Sequence, residues 1–215
     1  MGARYTLYIG NKNLSSWSLR PWLAMKTAGL PFDEVRITLD TPKTKAEILA
    51  TSPSGKVPAL TIEENGTSQT IWDSLAICET LNERHPEARL WPENAGRRAH
   101  ARSIVAEMHS GFPDLRRALS MEIAARYPTP ALEDKVQADI ARIIAIWTSA
   151  LDRHDGDGGF LFGRFTIADA FFAPVVTRFE TYSIHLPAVA QAYAQRVLAL
   201  PAMHEWTADA KAEAG

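Results

Sequence analysis

Ser52-Pro-Ser-Gly-Lys-Val-Pro58 leads directly into Ala59-Leu-Thr-Ile62. After Glu64-Asn65-Gly66 the chain resumes as Thr67-Ser-Gln-Thr-Ile-Trp72 and then Asp73-Ser-Leu-Ala-Ile77. This stretch decides the fold. Asn-Gly between two β-prone runs predicts a tight hairpin, because the turn that suits a right-twisted ribbon needs positive φ at both central residues. Asp73 to Glu83 reads as an amphipathic helix, with Leu75, Ile77, Cys78 and Leu81 apolar. A β-β-α unit therefore closes the first part of the chain.

Upstream, Tyr5 to Ile9 is a short strand ending in Gly10-Asn-Lys-Asn13. A helix follows, for which Ser15, Ser16 and Ser18 each suit the N-cap, and Pro21 is expected in its first turn. Leu19, Trp22, Leu23 and Met25 give it a buried stripe, and Gly29 with Pro31 stop it. Val35, Ile37 and Leu39 alternate with polar residues as a second strand, and Lys43 to Leu49 is a short helical or irregular piece. The order is βαβαββα over residues 1–85. A linker is expected over 86–96, and 97–215 reads as all-α. There, Leu132, Val136, Ile140, Ile143, Trp147 and Leu151 keep a helical period. Asp155 to Gly159 is a loop, Thr166-Ile-Ala-Asp169 is a capping box, and Pro187 and Pro201 mark starts of the last helices.

The 215 residues are 46% hydrophobic and 22% charged, an ordinary globular composition with material for a sizeable core. A net charge of -2 argues against nucleic acid or an anionic membrane as a bulk partner. No apolar run approaches the roughly 20 residues that span a bilayer, and the N-terminus has no signal-like segment. The single cysteine, Cys78, excludes an intramolecular disulfide framework and any metal site built on paired cysteines, so no metal is expected and a reducing, cytoplasmic setting is.

Several residues could carry chemistry. Ser15 and Ser16 stand at a strand-to-helix turn, where a hydroxyl and a helix N-terminus both favour an anion; equally, they could only cap the helix. Val57-Pro58 could be a cis peptide presenting the valine backbone, or an ordinary trans proline beginning a strand. Asp73 and Ser74 could cap a helix or hold a charged ligand at its dipole end. His109, on the apolar side formed by Ala101, Val105, Met108 and Phe112, could face a cleft or be packed. Arg178 could hold an acidic group or make an interhelical salt bridge. Cys78, on an apolar helix face, reads as inert packing. Arg97, Arg98, Arg102, Arg116, Arg117 and Arg126 read as a solvated or interdomain face.

Four motifs together resemble the glutathione S-transferase family. They are Gly55-Lys-Val-Pro-Ala-Leu60, Asp73-Ser-Leu-Ala-Ile77, Leu90-Trp-Pro92 and Phe165-Thr-Ile-Ala-Asp169, and they span essentially the whole chain. Ser15-Ser-Trp-Ser-Leu-Arg20 is most similar to the Ser-Ser-Cys-Ser-x-Arg signature of the zeta class and its bacterial relatives. The resemblance implies a thioredoxin-like N-terminal domain followed by an all-helical C-terminal domain. It implies glutathione as co-substrate, a small hydrophobic electrophile as partner, no metal, and a homodimer. Ser15 would activate the glutathione thiol with Ser16 behind it. Val57 would pair with the cysteinyl backbone ahead of a cis Pro58, with Lys56 adjacent. Asp73 and Ser74 would take the γ-glutamyl group, and Trp17, His109 and Arg178 are candidates for the electrophile pocket. Conjugation is the implied reaction; glutathione-dependent cis-trans isomerisation of the maleylacetoacetate type, or a non-catalytic binding role, are the alternatives. Trp17 stands where zeta enzymes carry cysteine, and Thr181 where they carry a substrate-binding arginine, which weakens the isomerase alternative.

Overall fold

A computed structural model describes residues 2–154 and 158–215; the expected loop at Asp155–Gly159 lies partly outside the described residues. The first part is β1 (Arg4–Ile9), α1 (Ser16–Thr27), β2 (Asp33–Arg36), α2 (Thr44–Thr51), β3 (Ala59–Glu64), β4 (Thr67–Trp72) and α3 (Ser74–Arg84). A single 3₁₀ turn at Pro86–Ala88 leads to α4 (Ala95–Ser110), α5 (Pro113–Ala118), α6 (Asp134–Arg153), α7 (Ile167–Thr181), α8 (Ala188–Leu198) and α9 (Pro201–Ala214). The fold is thus a thioredoxin-like unit followed by a helical one.

The sheet order is β2-β1-β3-β4, with β1 and β2 parallel and the other pairs antiparallel. Asn65 and Gly66 take φ of 51° and 77°, so the two-residue turn between β3 and β4 has the hairpin geometry that Asn-Gly favours. Two expectations need correction. The second strand is shorter than the alternation of Val35, Ile37 and Leu39 implies: it ends at Arg36, is exposed throughout, and Ile37 adds one further bond to the Ile9 carbonyl. Pro21 lies not in the first turn of α1 but one turn deeper, inside the helix. Its missing amide leaves the Trp17 carbonyl without its usual helical donor.

Helix α1 is central. Residues Leu19, Trp22, Leu23, Ala24 and Met25 are wholly buried, between the sheet on one side and α7 on the other. Each large side chain buried in this way contributes about 1.5–3 kcal/mol relative to exposure. Helix α7 starts at a complete capping box: the Asp169 carboxylate accepts from the Thr166 amide at 2.8 Å, and the Thr166 hydroxyl accepts from the Ala168 amide at 3.3 Å. Asp169 also accepts from the Leu161 amide at 3.1 Å, tying the preceding loop to the helix. Pro201 is in the first turn of α9 and Pro187 immediately precedes α8.

Helix α9 clamps the β1–α1 loop. The Lys12 ammonium is almost fully buried and pairs with Glu34 at 2.9 Å and Asp209 at 2.7 Å, near the rings of Trp22 and Trp206. Trp206 donates to the Lys12 carbonyl at 2.9 Å, and Glu213 accepts from the Lys12 and Asn13 amides.

Candidate active site

The β1–α1 loop delivers Ser15 as the N-cap of α1, with its side chain making no capping hydrogen bond. Instead the Ser15 hydroxyl bonds the Ser18 hydroxyl at 2.7 Å, and Ser18 Oγ also accepts from the Gly10 amide at 3.1 Å. Gly10 is needed for this approach: a Cβ there would lie 2.7 Å from Leu39 Cδ1 and 3.1 Å from Ser15 Cβ. In this arrangement the Ser15 hydroxyl donates to Ser18 Oγ, which also accepts from the Gly10 amide, and a rotation of the Ser15 hydroxyl would free its proton for another acceptor. Ser16, also buried, makes no side-chain hydrogen bond among the described residues.

A groove of about 480 Å³ adjoins this helix end, lined by Trp17, Ser54, Lys56, Val57, Pro58, Trp72, Asp73 and Ser74. The Val57–Pro58 peptide is cis. Asp73 is the N-cap of α3: its Oδ1 accepts from the Leu75 amide at 2.8 Å and its Oδ2 meets His109 Nε2 at 3.2 Å. Its backbone is at φ 74°, ψ 132°, a conformation that costs an aspartate on the order of 1–3 kcal/mol. Ser74 begins α3, and its buried hydroxyl has no partner among the described residues. A buried donor at a helix N-terminus with nothing to bond is a receptor for an anion.

The structure therefore brings Trp17, Lys56, Val57, Pro58, Asp73 and Ser74 into one groove. It joins His109 to them through Asp73 and through the Trp17 ring, whose centroid is 5.2 Å from the imidazole. Burial, opposed by Asp73 and reinforced by Arg20 and Arg116, lowers the His109 pKa, so the imidazole is neutral at pH 7. Its Nδ1 is buried and has no hydrogen-bond partner among the described residues.

Arg178 does not line this groove, and among the described residues it makes no interhelical salt bridge. Its Nη1 donates to the carbonyls of Arg116 and Leu119, the C-terminal end of α5, where a cation is favoured. Burial lowers its pKa to about 10. Of the arginines read as a solvated or interdomain face, Arg116 takes the interdomain alternative: it is partly buried, with Cζ 5.0 Å from the Trp17 ring of the N-terminal domain. Cys78 is fully enclosed and burial pushes its thiol up, leaving it unreactive. Ser54 and Trp72 also line the groove, and Arg20 stacks on Trp17 behind it, with no motif in the sequence that marks the first two. The available signal for Arg20 was a charge inside the otherwise apolar stripe Leu19, Trp22, Leu23. A larger cavity of about 820 Å³ between α6 and α8 has no comparable convergence of reactive groups. No cluster of metal-ligating side chains occurs among the described residues, and no described helix is long and apolar enough to cross a membrane.

The sequence profile of the glutathione S-transferase N-terminal domain matches residues 14–84, and that of the C-terminal domain matches residues 99–209. The chain belongs to the glutathione S-transferase family. Within that family it is similar to maleylacetoacetate isomerase from Pseudomonas aeruginosa, 28% identical over 186 residues that cover 85% of this chain and 84% of the relative. Among solved structures, maleylacetoacetate isomerase from Anaeromyxobacter dehalogenans with glutathione in the active site superposes with a TM-score of 0.70 at 25% identity, covering 100% of this chain and 99% of that one. A Burkholderia glutathione transferase homologue with bound glutathione gives 0.69 at 25% identity, covering 97% and 98%. As a glutathione S-transferase, the chain departs from the zeta signature at Trp17, and it is this side chain that walls the groove.

Proposed function

We propose that this glutathione S-transferase ionises the thiol of glutathione at the N-terminus of α1 and presents it to a small electrophile between α1, α4 and α7. The observation that carries the proposal is the groove itself. Val57, Asp73 and Ser74, whose hydroxyl is unpartnered, line one channel together with Trp17 of α1, two residues beyond a serine cap that is not spent on its own backbone. The Val57 backbone pairs with the cysteinyl segment as an added strand. Ser74 and the first amides of α3 take the γ-glutamyl carboxylate, Asp73 takes its ammonium, and Lys56 adds positive charge at the rim. A thiol pKa near 8.5 must fall by about one to two units, at about 1.4 kcal/mol each, for the thiolate to dominate at neutral pH. The helix dipole and a hydrogen bond from Ser15, backed by Ser18, with Ser16 alongside, supply that. Conjugation follows when the thiolate carbon–sulfur bond forms and a leaving group or an added proton completes the change.

The names of the relatives favour a second reading, glutathione-dependent cis-trans isomerisation. There the thiolate adds to a conjugated double bond, the resulting single bond rotates, and elimination returns the thiolate. Trp17 and Thr181 are the departures that count against it. A homodimer and a cytoplasmic setting belong to the proposal on the strength of the family.

The test is calorimetric binding of glutathione, then turnover of aryl halides, epoxides, peroxides and maleylacetone by wild type and Ser15→Ala. Micromolar to millimolar binding with loss of free thiol during turnover is the expected result. Maleylacetone consumed without net thiol loss would select the isomerase reading, and binding without any turnover a non-catalytic role. Absence of glutathione binding would overturn the proposal.

A further inference from the structure

Gly10-Asn-Lys-Asn-Leu14 carries the chain from β1 to Ser15. The Asn11 carbonyl closes the turn, accepting from the Leu14 amide at 3.1 Å and the Ser15 amide at 2.8 Å. Toward its neighbours the loop is mostly an acceptor. Asn13 takes the Ile123 amide on its carbonyl at 3.3 Å and the Ala124 amide on its side chain at 2.9 Å, while Asn11 Oδ1 takes the Leu39 amide at 2.7 Å. The two amides in the middle of the loop are donors, and both go to one carboxylate. Glu213 Oε1 accepts from Lys12 at 3.1 Å and Oε2 from Asn13 at 3.3 Å.

This link is of an unusual kind for a terminal helix. Glu213 sits in the last turn of α9, where the helix dipole disfavours a carboxylate, yet its side chain is only 5% exposed. The loop amides and the Arg36 guanidinium at 2.9 Å compensate it there. Beside it Trp206 takes the Lys12 carbonyl, and Asp209 with Glu34 takes the buried Lys12 ammonium. The opposite end of α1 offers a comparison. Lys26 meets Glu205 of α9 at 2.7 Å, but both side chains are well exposed, so that pair contributes little and fixes no backbone.

Glu213 holds the peptide planes two and three residues ahead of Ser15. The start of the same loop reaches the Ser15 hydroxyl by a second route, since the Gly10 amide holds Ser18 Oγ and Ser18 Oγ holds Ser15 Oγ. A shift of the loop therefore moves both the backbone of Ser15 and the partner of its hydroxyl. It moves no residue that lines the groove, because none of those belongs to the loop. Resting on the reading of Ser15 as the thiol-activating hydroxyl, we propose that Glu213, with Lys12 and Asp209, is the device that positions Ser15. In this way α9 sets the acidity of the glutathione thiol without touching it. The physical basis is the steep dependence of a hydrogen bond on distance and angle: a hydroxyl turned or displaced by a fraction of its bond length stabilises a thiolate far less.

The experiment reads the pKa of bound glutathione from thiolate absorbance against pH, and glutathione affinity by calorimetry at about pH 5.5, where thiol ionisation adds little. It uses the full chain as wild type, Glu213→Ala, Glu213→Gln, Ser15→Ala and, as a control for the other α9–α1 tie, Glu205→Gln. Glu213→Ala should raise the thiol pKa by about half a unit to one unit, in the same direction as Ser15→Ala, with affinity within about twofold of wild type. Glu213→Gln keeps an acceptor for one of the two amides and should give an intermediate shift. Glu205→Gln should leave the thiol pKa where it is. If Glu213→Ala fails to fold, Glu213→Gln and Glu205→Gln decide the matter by the same two readouts. An unchanged thiol pKa in the folded Glu213 variants, with Ser15→Ala shifted, would overturn this proposal and leave the parent reading standing. Equal shifts in the Glu205 and Glu213 variants would also overturn it, since α9 would then act through packing alone. So would a loss of affinity in Glu213→Ala without a change in thiol pKa, which would make the residue structural. No shift in Ser15→Ala, or no glutathione binding by the wild type, would sink the parent reading and this one with it.

Discussion

The helices α7 and α1 begin in opposite ways. At α7 the cap is closed on itself: Thr166 and Asp169 satisfy each other's backbone, and Asp169 is completely buried. At α1 the cap residue Ser15 gives nothing to the helix amides; its hydroxyl is paired with Ser18, and the helix end faces the groove region. Both caps are hydroxyl residues, so residue type alone does not separate a structural cap from a reactive one. What separates them is where the oxygen is directed, and whether an acidic residue three positions later is present to complete a box. Asp169 fills that position in α7; Ser18 fills it in α1.

The largest effect should come from breaking the closed cap. Asp169→Ala orphans the Thr166 and Leu161 amides in a dry site and should cost about 3 kcal/mol of stability, measured by denaturant titration. Its pH dependence has a definite sign. Burial raises the Asp169 pKa to about 6 despite its hydrogen bonds, against an ordinary 3.8. The folded state then holds the proton more tightly than the unfolded one, so this carboxyl's contribution is greatest below pH 3.8 and is lost as pH rises toward about 6. That component of the slope should vanish in the alanine variant.

The open cap should behave conversely. Ser15→Ala should change stability by less than about 1 kcal/mol but lower kcat/KM by about 100-fold, with the pKa of bound glutathione raised by about one unit. If the two variants instead lose stability equally and Ser15→Ala keeps full specific activity, the distinction between the caps collapses. The cap of α3 is an intermediate case, since Asp73 both bonds Leu75 and reaches toward the cleft. Asp73→Asn retains an acceptor for Leu75 and should weaken glutathione binding by about tenfold with little loss of stability. The smallest effect belongs to His109. Its lowered pKa places any acidic limb of the rate profile below pH 6.5, and His109→Gln should remove that limb while altering the neutral-pH rate only slightly.

The sequence made the closed cap legible and the hairpin too, because each is a local device. Thr166 and Asp169 are three residues apart, and Asn65-Gly66 carries its own turn preference. The order of strands and helices followed from such devices and from periodicity. Pro21 shows where locality misleads: three serines compete to start α1, and choosing Ser18 rather than Ser15 moves the proline by a turn. Arg20, Arg116 and Arg178 show the deeper reason. Whether an arginine is a solvated charge, a helix-end partner or a buried cation is decided by neighbours from α1, α5 and α7, far apart in the chain. No window of sequence contains that information. Trp17 could be flagged as a departure from the zeta signature, but not its stacking on Arg20, which depends on the packing of α1 against α7.

The clamp of α9 on Lys12 has a consequence for biosynthesis. A nascent chain that has emerged as far as Arg84 already contains every strand of the sheet and every residue lining the groove. The loop before Ser15 is nevertheless fixed by Asp209 and Glu213, the latter 201 residues downstream of the amide it holds. Until those residues leave the ribosome, Lys12 lacks Asp209, and the turn that aims Ser15 lacks its final restraint. The N-terminal end of α1 is therefore among the last features to mature, although every residue of the groove is made early.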